Sequence, residues 1–140
     1  MRLYRLAVPI VLGLLFSSFC ATSARADYTW TLTAPSAGFL ATPGGTLAVG
    51  GSVGWTFGWD TAVANVQVLL YDAHGHQSST WADCDAGVQS TSFNGTVAVP
   101  LHATGAAVCQ VKGYDSSNNY LNTSDAVGGD FLNSGGGGGN

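Results

Sequence analysis

Gly51-Ser52-Val53-Gly54-Trp55-Thr56-Phe57-Gly58-Trp59-Asp60 is the stretch on which the reading of this chain turns. Val53, Trp55, Phe57 and Trp59 alternate with Ser52, Gly54, Thr56 and Gly58. A side-chain period of two marks a strand with one buried face. Gly50-Gly51 leads in and Asp60-Thr61 leads out, so both ends carry turn residues. The glycines opposite the aromatics leave room for close approach by a backbone or a partner. This pattern predicts Trp55 as the central core residue, packed between two sheets, with Trp59 partly exposed beside Asp60.

The same period recurs outward from this strand. Tyr28 to Thr33 alternates aromatic or apolar residues with Thr until Pro35 and Ser36-Ala37-Gly38 turn the chain. Phe39 to Thr42 and Thr46 to Val49 are short extended pieces around the Pro43-Gly44-Gly45 turn. Asn65 to Tyr71 points Val66, Val68 and Leu70 inward, and Asp72 to His76 is a turn. Gln77 to Ser90 is polar and reads as a long loop with a short edge strand. Thr91 to Val99 offers Phe93, Val97 and Val99 to the core. Val108 to Tyr114 is a strand, Ser116 to Asn119 a hairpin turn, Tyr120-Leu121 its return, and Gly128 to Leu132 a weak last strand. No segment keeps a helical period. The pattern predicts an all-β fold, an immunoglobulin-like (fibronectin III-like) antiparallel β-sandwich of about seven strands. A small barrel is the alternative.

Residues 1–26 read as a secretory signal peptide. Arg2 and Arg5 form a basic start, Leu6 to Phe16 an apolar run, and Ala24-Arg25-Ala26 a small-x-small cleavage site. The domain is then 27–132, and the Gly-rich residues 133–140 are expected to be disordered. No membrane span is expected, and no GPI signal. Removing the leader takes Arg2, Arg5 and Arg25 with it. One Lys, Lys112, then stands against eight Asp, a formal charge of −7. Such a chain is a poor partner for nucleic acid or an anionic membrane. Its uncharged Ser, Thr, Asn and Gly surface suits polysaccharide or covalent glycan.

Chemistry-bearing residues are few. Cys84 and Cys109 are an even pair in an oxidising compartment and are expected to form a disulfide, worth about 3.5 kcal/mol in the chain-entropy account. His74-Gly75-His76 is the most metal-like feature, with His102 or Asp72 as a third ligand, although a polar turn is the plainer reading. Asp83 and Asp85 are the closest acidic pair, Glu is absent, and no G-x-S-x-G turn is present. No catalytic residue and no cofactor is assigned. Asn94-Gly95-Thr96 and Asn122-Thr123-Ser124 are N-glycosylation sequons, with Asn122 preferred because Asn94 falls in or beside a strand. Trp81, Trp59 and Trp30 are candidate glycan-stacking residues, Trp81 above all because its surroundings are polar.

Several segments resemble, in order, the N-terminal domain of the fungal Kre9/Knh1-like cell-wall proteins, the Ser/Thr-rich GPI-anchored family. They are Ala34-Pro35-Ser36-Ala37-Gly38, Gly51-Ser52-Val53-Gly54-Trp55, Val66-Gln67-Val68-Leu69-Leu70, Gly95-Thr96-Val97-Ala98-Val99-Pro100, Cys109 to Tyr114, Asn122-Thr123-Ser124-Asp125 and Gly129-Asp130-Phe131. The resemblance implies an immunoglobulin-like sandwich, secretion to the cell surface, and a link to β-glucan and cell-wall assembly. The chain departs from the family in lacking the Ser/Thr-rich stalk and the anchor signal. The expectation is a secreted, non-enzymatic extracellular or cell-wall protein, with β-glucan or a cell-surface protein as partner. A secreted effector, a carbohydrate-binding module and a small metal-dependent enzyme built on His74 and His76 are the alternatives.

Overall fold

The computed structural model describes residues 27–56 and 61–132. Residues 1–26, with the expected signal peptide, residues 133–140 and residues 57–60, with Trp59, lie outside the described residues. The strands are β1 (Tyr28–Ala34), β2 (Phe39–Ala41), β3 (Thr46–Trp55), β4 (Asn65–Tyr71), β5 (Gln77–Trp81), β6 (Asp83–Gly87), β7 (Ser90–Ala98), β8 (Ala106–Tyr114), β9 (Tyr120–Thr123) and β10 (Val127–Phe131). No helix occurs among the described residues. One sheet has the order β1-β3-β7-β6. The other runs β2-β10-β8-β4-β5, with β9 also paired to β8. The pairs are antiparallel except β10 with β2, which is parallel. The two sheets pack as a sandwich.

The strand count exceeds the expected seven because extended runs are divided. The chain turns after the cis Ala34–Pro35 bond, so β1 joins one sheet and β2 the other. Gln77 to Gly87 is extended almost throughout: β5 pairs with β4, and after Ala82 the chain becomes β6 and pairs with β7. This segment was expected to be mostly loop. It lacks an apolar alternation because it runs along the sheet edges, where backbone hydrogen bonds and not core burial hold a strand. The last run is divided at Ser124. There the buried Ser124 hydroxyl accepts the Val111 N–H at 3.1 Å, while the Ser124 N–H reaches the Val111 carbonyl at 2.9 Å. A side chain thus replaces a backbone group, and no buried donor is stranded where β9 passes into β10.

The core is built from the inward residues of β3, β4, β7 and β8. Val53, Val66, Val68, Leu70, Val97, Cys109 and Val111 are all fully buried. The predicted inward sets on β4 and β7 hold. The prediction for Trp55 does not. Trp55 is half-buried at the very end of β3, its ring 6.5 Å from that of Tyr28. Its N–H donates to the Gln89 carbonyl at 3.1 Å, and its own carbonyl accepts from Gln89 Nε2 at 3.2 Å. Val49 and Val53 take the central places. Valines from both sides fill the gap of about 10 Å between the sheets, and Trp55, two residues beyond Val53, is the last residue of the strand. The ring is accommodated where the sandwich opens. Trp30, level with Val53, is packed between the sheets: it meets Phe93 edge-on at 6.0 Å and lies against Gly113, where a Cβ would come within 3.1 Å of the indole.

Gly51 shows how tightly β1 and β3 pack. A Cβ there would overlap the Thr31 carbonyl, beside the register shift between Leu32 and Ala34. At Gly50 the nearest atom to a Cβ is the Phe93 carbonyl oxygen at 3.4 Å, an ordinary contact. Gly51→Ala is therefore expected to lose about 1–3 kcal/mol, and Gly50→Ala to be near neutral. Urea midpoints of the two variants check the order.

Candidate functional site

The outer face of the larger sheet carries the most distinctive surface. Residues on β4 and β8 that alternate with the buried set point outward, and the register aligns them. Trp81, Gln67, Lys112 and Thr123 form one row across β5, β4, β8 and β9; Asn65, Tyr114 and Tyr120 form the next. Trp81 meets Tyr114 edge-on at 5.2 Å, and Tyr114 meets Tyr120 at 6.0 Å. Trp81 is 51% exposed and Tyr120 57%. Three rings thus run side by side over the sheet, two of them largely open to solvent.

Polar groups hold these rings in place. The Tyr114 hydroxyl donates to Gln67 Oε1 at 3.0 Å, and the Tyr120 and Thr123 hydroxyls are 2.6 Å apart. The β8–β9 turn between the two tyrosines is fastened by Asp115. Its carboxylate accepts the N–H groups of Ser117 and Asn119, both at 2.9 Å, and Asn119 Nδ2 at 3.1 Å. The backbone and side-chain donors of Asn119, followed by the Ser117 N–H, hold that carboxyl below its ordinary pKa against the opposing effect of burial. Asn65 Nδ2 ties the turn to β4 through Asn118 Oδ1 at 2.9 Å and the Asp115 carbonyl at 3.2 Å. Rings fixed before a ligand arrives lose little entropy on binding.

Of the three tryptophans singled out from sequence, Trp81 alone is placed on this face. Trp30 is packed between the sheets, its Nε1 donating to Asn122 Oδ1 at 2.9 Å; Trp59 lies outside the described residues. Tyr114 and Tyr120 were missed. Their signal was parity, because they bracket the Ser116–Asn119 turn on the side opposite Cys109 and Val111. Trp81 also borders a second feature, an open groove of about 660 Å³ on the smaller sheet, floored by Ala48 and Gly50 and lined by Asp83, Asn94 and Thr96. Asn94 is exposed in mid-strand, whereas Asn122 is half-buried and bonded to Trp30. Asn94 does fall within a strand, β7, as expected.

The expected disulfide is absent: Cys84 and Cys109 are free thiols. Cys109 sits in the core on β8, level with Leu70, and burial raises its pKa to about 11. Cys84 lies on the edge strand of the other sheet, level with Phe93, with Sγ directed at the Ala82 carbonyl at 3.7 Å. Burial, with Asp83 nearby, raises its pKa although a hydrogen bond with the Val66 backbone opposes the shift. Cys84 stands on the exposed edge strand β6 and Cys109 within the core on β8, an arrangement that their spacing in the sequence does not show.

His74 and His76 lie in the β4–β5 turn around Gly75, whose φ is 93°. They do not share a strand face. His76 Nδ1 is 2.8 Å from Asp72 Oδ2, and its ring centre is 6.5 Å from that of His102. The buried Asp72 carboxylate also accepts the N–H groups of His74 at 2.8 Å, His76 at 3.0 Å and Thr104 at 3.1 Å. Burial alone would push this carboxyl up. The His76 ring and the three backbone donors outweigh burial and hold it well below the usual carboxylate range. Asp72 is a structural staple joining the β4–β5 turn to the β7–β8 connection. Among the described residues no group of three or more His, Cys, Asp or Glu is placed to hold a metal ion. No protein-family model matches the chain, and no curated protein matches it.

Two outcomes follow. Iodoacetamide at mildly alkaline pH should modify Cys84 in the folded protein and Cys109 only after denaturation, read by mass spectrometry. Because Asp72 has a depressed folded pKa, its contribution to stability is present above about pH 4 and is lost as pH falls below that range. Asp72→Asn should be less stable than the parent at pH 7 and should show a shallower loss on acidification. Denaturant midpoints between about pH 2 and pH 7 test this.

Proposed function

We propose that this chain is a secreted, non-enzymatic, wall-associated module that binds polysaccharide on the outer face of its larger sheet. The observation that carries the reading is the row Trp81, Tyr114 and Tyr120, with Gln67, Asn65 and Thr123 set among the rings. Aromatic faces stack against the C–H faces of pyranose rings, and amide and hydroxyl groups match sugar hydroxyls. A twisted sheet presents such groups at regular intervals, as a polymer of repeating sugars requires.

The sandwich is read as immunoglobulin-like. The order β1-β3-β7-β6 follows the A-B-E-D arrangement, and β10-β8-β4-β5 follows G-F-C-C′. Division of the first strand between the sheets fits the same scheme. The leader and the ordered likeness to the Kre9/Knh1-like domain support an extracellular place and β-glucan as the polymer. The low charge of the surface fits a polar, largely uncharged matrix.

The test is sedimentation with insoluble β-glucan and with chitin, using the full secreted chain. The parent should be retained on β-glucan, and Tyr120→Ala and Trp81→Ala should each weaken retention about tenfold, corresponding to one lost stacking contact of about 1–2 kcal/mol. Both residues are exposed, so their unfolding midpoints should stay close to the parent's. Retention no better than that of an inert sandwich of matched size would remove the proposal.

A further inference from the structure

The aromatic face is electrostatically unlike the rest of the molecule. Lys112 is the only Lys or Arg beyond residue 26, set against eight Asp. The register places it mid-face, between Gln67 on β4 and Thr123 on β9, two residues before Tyr114 on the same side of β8. Among the described residues Lys112 makes no ion pair; the one charged contact there joins His76 to Asp72.

Of the described carboxylates, Asp27 precedes β1 in the smaller sheet, and the others are spent or stand off the two aromatic rows. Asp72 is buried and Asp115 is committed to its turn. Asp83 and Asp85 belong to β6 in the other sheet. Asp125 lines a depression beside Tyr28 and Trp30 at the sheet edge. Asp130 is level with Ala106, at the opposite end of β8 from Tyr114. Neither aromatic row contains a carboxylate, so among the described residues Lys112 stands without an ion-pair partner beside three rings.

We infer that this face recognises a sugar bearing a carboxylate, with the Lys112 ammonium donating to the carboxylate while Trp81 and Tyr120 carry the ring faces. This rests on the polysaccharide-binding reading and specifies its ligand. The charge balance limits the ligand further. A formal charge of −7 after the leader repels a dense polyanion. One cation instead fits a mostly neutral polymer carrying isolated uronate units. Gln67 and Thr123, flanking Lys112 in the row, are placed for neighbouring hydroxyls.

The experiment compares β-glucan with the same polymer sparsely oxidised at C6 to glucuronate, using the full chain at two salt concentrations. The expected result is roughly three- to tenfold tighter binding to the oxidised polymer at low salt. That advantage, taken as the ratio of oxidised to plain polymer bound by each protein, should shrink as salt rises, disappear in Lys112→Gln and persist in Lys112→Arg. Equal binding of both polymers, or an advantage that survives Lys112→Gln, overturns the inference and leaves the polysaccharide reading standing. Binding to neither polymer overturns both.

Discussion

The ladder between β4 and β8 is the constraint on which both the interior and the outer aromatic face depend. It pairs Asn65 with Tyr114 at one end and Tyr71 with Val108 at the other. Within it, Val66, Val68 and Leu70 turn inward with Cys109 and Val111, and Gln67 turns outward with Lys112 and Tyr114. A slip of one residue would exchange the two sets. Burying Lys112 and Gln67 in place of valines is so unfavourable that the core holds the register. The arrangement of the outer face is therefore a consequence of the energetics of the inner one.

Polar groups complete what the valines begin. Where the fold departs from regular pairing, a buried side chain takes over a backbone partner. Ser124 does so at the break between β9 and β10. Thr91 does so by donating to the Val63 carbonyl at 2.6 Å, and Asp72 by gathering the N–H groups of two connections. No buried side-chain nitrogen or oxygen among the described residues lacks a partner. These substitutions let a chain rich in short, interrupted strands keep a single packing, since an unmet buried donor would cost as much as a lost core contact. Asp115 and Asn65 do the same for the hairpin that presents Tyr114 and Tyr120.

The outer face joins two properties that oppose each other elsewhere on proteins. Exposed aromatic rings normally invite aggregation. Here they are separated by amide and hydroxyl groups and by Lys112, and Asp83 and Asp85 stand on the neighbouring edge strand β6. Charge on an edge strand discourages pairing with a second sheet. The surface can therefore remain open in a protein whose other exposed groups are mostly small and uncharged.

Periodicity and turn chemistry were enough to establish the all-β class, the inward residues of β4 and β7, and the β8–β9 hairpin, because a period of two and a Ser-Ser-Asn-Asn turn are local properties. The polar character of Trp81's surroundings was local as well, and it pointed to an exposed ring. What lay beyond the sequence was set by which strands become neighbours. Trp55 had the pattern of a core residue, but β3 ends there, and Val49 and Val53 fill the middle of the strand. Cys84 and Cys109 had a plausible spacing, but the crossing at Ala82 carried one to the edge of the opposite sheet. Tyr114, Tyr120, Trp81 and Lys112 are separated in the chain by as many as 39 residues, and only the register of four strands brings them to one face. A strand's own pattern tells which side chains share a side; the pairing of strands, decided by burial over the whole core, tells what stands beside them.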